Sequence, residues 1–177
     1  MFYNYSNLPN VNALVTQEIY QLMTEFNGLK IVNSSSRADA VLIGIIKSGD
    51  SLKDTRTNKN YRVAKNTAPE AIGESRRNFS IPARTQLKLS LHVIVIKNPT
   101  ATEIKILQSD LGPEVSVSPK IIFNQMMAIN GDYTREVFDG ELTDINFTQN
   151  KGAETRSLKN MAVSAANTFR EMILYAF

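Results

Sequence analysis

The chain contains no cysteine and one histidine among its 177 residues. The missing cysteine removes disulfides, thiolate nucleophiles and cysteine-built metal sites together. It fixes no compartment, because cysteine-free domains occur in reducing and oxidising surroundings alike. A lone histidine, His92, cannot build the usual structural zinc site, and the carboxylates show none of the clustered spacing that an oxygen-ligand site requires. No apolar run approaches the roughly 18–20 residues of a membrane-spanning helix, which predicts a soluble protein as given. The start Met1-Phe2-Tyr3-Asn4 has no basic segment followed by an apolar one, so no signal peptide is expected in this numbering. The phosphate-cradling and nucleophile-elbow motifs G-x-x-x-x-G-K-S/T, G-x-G-x-x-G and G-x-S-x-G are all missing.

What is present is ordinary in amount and uneven in placement. Hydrophobic residues make up 42% and charged residues 21%, a balance that supports a packed core in one domain over residues 1–177. The net charge is only +3, yet Arg37 to Lys88 holds eleven basic residues against five acidic ones. The remainder of the chain is therefore net acidic. A basic region of this kind attracts phosphate groups of nucleic acid, lipid or lipopolysaccharide, or it is simply a solvated loop.

The most strongly patterned segment is Ala38-Asp39-Ala40-Val41-Leu42-Ile43-Gly44-Ile45-Ile46-Lys47. Its four β-branched residues and interior Gly44 favour a strand buried on both faces over a buried helix. Asp39 reads as a turn residue at the strand's entry, after the polar turn Asn33 to Ser36. Gly44 offers room for close packing by a helix.

Around this strand the elements fall in order. Phe2 to Tyr5 alternates like a short strand. Leu14, Val15, Ile19, Leu22, Met23 and Phe26 recur at helical spacing, with Asn10 or Asn12 available as cap and Asn27-Gly28 as terminator. Leu29 to Val32 reads as a further short strand. From Ser48 to Pro82 periodicity fades and a long basic loop is expected. Leu87, Leu89, Leu91, Val93 and Val95 then alternate with Lys88, Ser90, His92, Ile94 and Ile96. One face of that strand is apolar throughout, and the other turns from polar to apolar. Glu103 to Ser109 reads as its hairpin partner across the turn Asn98 to Thr102. Residues 111–155 carry mixed signals, with Asn130-Gly131 as a tight turn and Tyr133 to Phe138 as another strand. Leu158, Met161, Ala162, Ala165, Phe169, Met172, Ile173 and Ala176 form a final helical stripe. The expected architecture is α+β: a two-layer sandwich with about four strands in a mixed sheet and two helices packed on one face.

Candidate chemistry is sparse. His92 lies mid-strand, without the partners a general base requires in its sequence neighbourhood. Asp139, Glu141 and Asp144 sit in loop-like sequence with no apolar setting to raise a carboxylate pKa. An enzyme is therefore not expected, and no catalytic residue, metal or cofactor is assigned. Arg76-Arg77-Asn78-Phe79 mixes cations with an aromatic as single-strand binders do. The strand from Arg84 to Lys97 offers no aromatic platform beside it except His92, so nucleic acid is not the expected partner.

The order of elements carries a family resemblance. Phe2-Tyr3-Asn4, the helix Ala13 to Phe26, Leu29-Lys30-Ile31-Val32 and Ala38 to Ile46 together resemble the LptE-type lipopolysaccharide-assembly lipoproteins. The likeness is specific over roughly residues 2 to 47, loose to about 110 and nearly absent from 111 to 155. It implies a mature domain whose full-length form is lipid-anchored at the periplasmic face of the outer membrane. It also implies two partners: a large β-barrel of the LptD type, whose lumen the domain plugs, and lipopolysaccharide. The family's lipidated cysteine is not in this chain, and no family motif assigns lipopolysaccharide contacts to particular residues. Charge density alone nominates Arg76, Arg77, Arg84 and Lys88 for lipopolysaccharide binding. Two other classes remain open: a periplasmic adaptor lipoprotein that activates an envelope enzyme without binding lipopolysaccharide, and a small enzyme with a concave pocket.

Overall fold

The computed structural model describes residues 2–26, 30–48, 56–60, 80–108, 119–138 and 144–176. Five strands form one mixed sheet. They are β1 (Phe2–Tyr5), β2 (Ala40–Lys47), β3 (Arg56–Asn60), β4 (Ser80–Lys97) and β5 (Ile121–Phe138). Among the described residues three α-helices accompany them: α1 (Val11–Thr24), α2 (Ala101–Gln108) and α3 (Asp144–Ala176). β4 is the spine. Along one edge it pairs antiparallel first with β3 and then with β2, along the other with β5, and β1 adds to β2 in parallel.

The α+β arrangement is the expected one, with α1 and α3 packed on one face of the sheet and the short α2 added on the other. Leu87, Leu89, Leu91 and Val93 of β4 point to that face, where they meet Val15 and Ile19 of α1 and Met161, Ala165 and Phe169 of α3. Phe169 meets Phe123 of β5 edge-on, the ring centroids 5.8 Å apart at 90°, a geometry worth about 0.5–1.5 kcal/mol beyond burial. The segment Ile43 to Ile46 is buried on both sides, as its composition requires: Ile46 faces the two long helices, while Ile43 and Ile45 face α2.

Local chemistry explains the entry to the fold. Asn4 accepts from the Ser6 backbone N–H at 2.9 Å and donates to the Leu8 carbonyl at 2.7 Å, closing the turn that carries fully buried Leu8 under α1. Asn10 occupies the cap position in the left-handed region at φ 60°, and its side chain makes no capping bond. Asp39 holds the entry to β2 through its backbone, its carbonyl accepting from Asn98 N–H at 2.8 Å.

Several expectations are corrected. Glu103 to Ser109 is not the hairpin partner of β4. It lies largely within α2, because Thr100 and Glu103 form a reciprocal capping box: the Glu103 carboxylate accepts from Thr100 N–H at 2.6 Å, and Thr100 Oγ1 accepts from Glu103 N–H at 3.2 Å. The alternation of Ile104 and Ile106 misleads, since it is Ile104 and Leu107, one helical turn apart, that pack on the sheet. Residues 30–32 form no strand. The span 48–82 is not all loop, for it contains β3 and the first residues of β4. Asn130-Gly131 is no turn: β5 runs straight through it, and Gly131 lies against the helix layer, where an added Cβ would sit 2.5 Å from Met161 Cγ and Sδ. Gly44 likewise makes room for something other than a helix, namely the ring of Phe2 on the neighbouring strand. The last helix begins at Asp144, well before the stripe that starts at Leu158. From Thr148 to Arg156 it is largely exposed and Gly152 packs on nothing, so this part is an extension of the packed part.

Candidate functional site

Strand alternation divides the second face of the sheet in two. At its apolar end Val41, Ile43 and Ile45 of β2 and Ile94 and Ile96 of β4 are covered by Ile104 and Leu107 of α2. Tyr3 of β1 joins this cluster, and its hydroxyl pKa is raised, first by burial and then by the nearby Tyr5. The Tyr5 hydroxyl donates to the carbonyl of Gln108 at 2.5 Å, tying the end of α2 to β1. Glu103 holds the other end: it bonds Lys120 at 3.0 Å, and its pKa is lowered, first by the Thr100 N–H bond and then by Lys120.

Beyond α2 the same face is polar and uncovered among the described residues. The even-numbered positions of β4 place Arg84, Gln86, Lys88, Ser90 and His92 there. β5 contributes Asn124, Met126, Ala128, Asn130, Asp132 and Thr134 by register. Lys47, opposite Ser90, adds a further cation from β2. Lys47 and Lys88 are diagonal neighbours across the β2–β4 ladder, a separation of about 7–8 Å. Arg84 lies two strand repeats beyond, about 13 Å from Lys88 along β4. Arg84 Nε donates to Asp132 Oδ2 at 2.7 Å, with the two side chains 42% and 49% exposed. Solvent screening leaves such a pair worth well under about 1 kcal/mol, so the guanidinium is positioned more than neutralised. His92 Nε2 lies 2.6 Å from Asn124 Oδ1, which makes Nε2 the protonated nitrogen as the amide is placed.

Of the four nominated residues, Arg84 and Lys88 share this face, while Arg76 and Arg77 lie outside the described residues. Sequence reasoning missed Lys47. The signal was its place in β2, where it shares parity with Ile43 and Ile45 and so falls on the face opposite the long helices. Asp139 and Glu141 also lie outside the described residues, and Asp144 opens α3.

Chemically this is a row of cations on one face of the sheet. It suits anionic oxygens held by charge-assisted hydrogen bonds. His92 bonds an amide rather than a carboxylate or the neighbouring Ser90. Among the described residues no group of three or more potential ligands is placed to hold a metal. One depression is lined by Asn160, Val163, Ser164, Asn167, Thr168 and Glu171, all on one side of α3, and brings no two elements together. Among the same residues no helix is long and apolar enough to cross a membrane.

No protein-family description matches the sequence, and no curated protein matches it. Among solved structures the chain is similar to a candidate lipoprotein from Caulobacter crescentus CB15. The identity is 7% and the TM-score 0.48, over 99% of this chain and 89% of that one. At that level of likeness neither fold nor function is transferred.

Proposed function

We propose that this domain performs no catalysis and acts in lipopolysaccharide transport and assembly at the outer membrane. In this reading it partners a β-barrel of the LptD type, contacts lipopolysaccharide, and is held at the periplasmic face by a lipid anchor in the full-length protein. The observation that carries the proposal is the uncovered sheet face with Lys47, Lys88 and Arg84 in one row. The resemblance of residues 2 to 47 to the LptE type supplies the pathway. Phosphates of a lipopolysaccharide core are multivalent anions, and a row of cations on a rigid strand meets them without reorganising. A domain seated in a wet barrel lumen also has to keep its core to itself and show polar side chains outward, and two buried clusters under a polar surface satisfy that demand.

The test is affinity purification of the tagged, full-length protein from detergent-solubilised envelopes. Stoichiometric recovery of an LptD-type barrel supports the proposal. Recovery of an envelope enzyme with no barrel refutes it in favour of the adaptor class.

A further inference from the structure

Ser90 sits at the centre of the uncovered polar face, with Lys47 opposite it on β2 and Ala128 opposite it on β5. Directly opposed Cβ atoms lie about 4.5–5.5 Å apart. Lys88 and His92 flank Ser90 two positions away along β4, about 7 Å on either side. Two cations and a histidine therefore surround one hydroxyl. Ser90 and Ala128 are small, while the cross-strand pairs on either side of them, Lys88 with Asn130 and His92 with Met126, are larger. A small group can come down between those two pairs.

Part of this donor set is uncommitted. Lys88 is exposed and Ser90 half-buried, and neither side chain has a hydrogen-bond or ion-pair partner among the described residues. His92 Nε2 is held by Asn124 Oδ1 at 2.6 Å, which leaves Nδ1 as the ring's second site. The charged groups around His92 are Lys47 from β2 and Lys88 from its own strand. β5 places only neutral side chains beside it, and α2 turns Ile104 and Leu107 to the sheet. The nearby carboxylates are engaged elsewhere, Asp132 with Arg84 and Glu103 with Lys120.

We propose that Lys47, Lys88, Ser90 and His92 form a site for one phosphomonoester group. Such a group carries about −1.5 to −2 charges and three free oxygens, so it accepts from several of these donors at once. A carboxylate or a phosphodiester offers one charge and two free oxygens, and satisfies the set less well. A bound dianion favours the charged form of an adjacent histidine, so binding takes up a proton at Nδ1. Affinity accordingly rises as pH falls through the range in which histidine ordinarily gains its proton. Arg84, about 13 Å from Lys88 and bonded to Asp132, lies outside the site. That the phosphate is one carried by lipopolysaccharide rests on the transport reading; the site itself does not.

Inorganic sulfate is the probe, a tetrahedral dianion whose charge stays constant between about pH 8 and pH 6, the interval that spans histidine titration. It is titrated into the isotope-labelled chain at ionic strength held constant with chloride, and amide resonances are followed. The expected result is saturable shifts centred on Lys47, Ser90 and His92. Lys88→Gln weakens binding by about fivefold. Lys105→Gln removes the same charge from an exposed position on α2 and changes binding by less than about twofold. Wild-type affinity rises as pH is lowered, and His92→Gln abolishes the rise. Shifts spread evenly over the face, equal losses in Lys88→Gln and Lys105→Gln, a wild-type affinity indifferent to pH, or a rise that His92→Gln retains overturns the proposal. Localised sulfate binding by a chain that ignores lipopolysaccharide keeps the site and refutes the transport reading. Recovery of the barrel together with evenly spread sulfate shifts does the reverse.

Discussion

Gly44 and Phe2 provide a test in which the structure supplies the magnitude. They face each other across the parallel β1–β2 ladder. A Cβ added to Gly44 would lie 2.1 Å from both Cδ1 and Cε1 of the Phe2 ring, well inside van der Waals contact. The ring must leave or β1 must shift. Overpacking of this kind costs about 1–3 kcal/mol, and two overlaps on one rigid ring place Gly44→Ala toward the upper end. Phe2 is only half-buried, so Phe2→Ala costs about 1–2 kcal/mol, below the value for a fully buried aromatic. In the double variant the new methyl group enters space the ring has vacated. Its stability should therefore match that of Phe2→Ala alone, leaving a coupling energy of about 1–3 kcal/mol. Equilibrium unfolding in urea measures all four corners of the cycle. Thermal melts follow at roughly 2–4 °C per kcal/mol for a chain of this size. If Gly44→Ala costs as much without the Phe2 ring as with it, the ring is not what excludes a side chain there.

Other outcomes follow from the same geometry. Gly131→Ala puts a methyl group 2.5 Å from Met161 Cγ and Sδ and 3.0 Å from Ser157 Oγ. It should cost about 1–3 kcal/mol, and in urea titrations this cost should shrink when it is measured in a Met161→Ala background. Thr100→Ala removes the capping box and should lower stability by about 1 kcal/mol, with loss of amide protection confined to α2. Glu103 has a lowered pKa in the folded chain, so its contribution is complete above the ordinary glutamate range and is lost as pH falls through that range to the folded value. Hydrogen exchange should therefore show α2 loosening on acidification before α1 does.

β2, the later part of β4 and the two long helices were legible in the sequence because their signals repeat over many residues, whereas β3 and the first half of β5 were not. β4 alternates from Leu87 to Ile96, and its polar-to-apolar change on one face marks where α2 begins to cover the sheet. α1 and the second half of α3 show their stripes plainly. Short elements were misread where two patterns coincide. Ile104-Lys105-Ile106-Leu107 alternates well enough for a strand, and only the T-x-x-E spacing of Thr100 and Glu103 distinguishes the helix. Asn130-Gly131 has the composition of a turn, but glycine also serves where a helix lies close, and the choice depends on Met161, thirty residues away. No local window contains that information. For the site, charge density found Arg84 and Lys88, whereas Lys47 joins them only through the register of β2 on β4.

A cationic face sorts the possible functions by what it binds, and binding of lipopolysaccharide is the most direct measurement. Titration of purified lipopolysaccharide into the wild-type chain, and into a variant with Arg76, Arg77, Arg84 and Lys88 reversed to glutamate, decides the matter when both proteins melt alike. The wild type should bind saturably, more weakly as salt rises, and the variant should lose roughly tenfold or more in affinity. Unchanged binding after reversal of all four charges would contradict it.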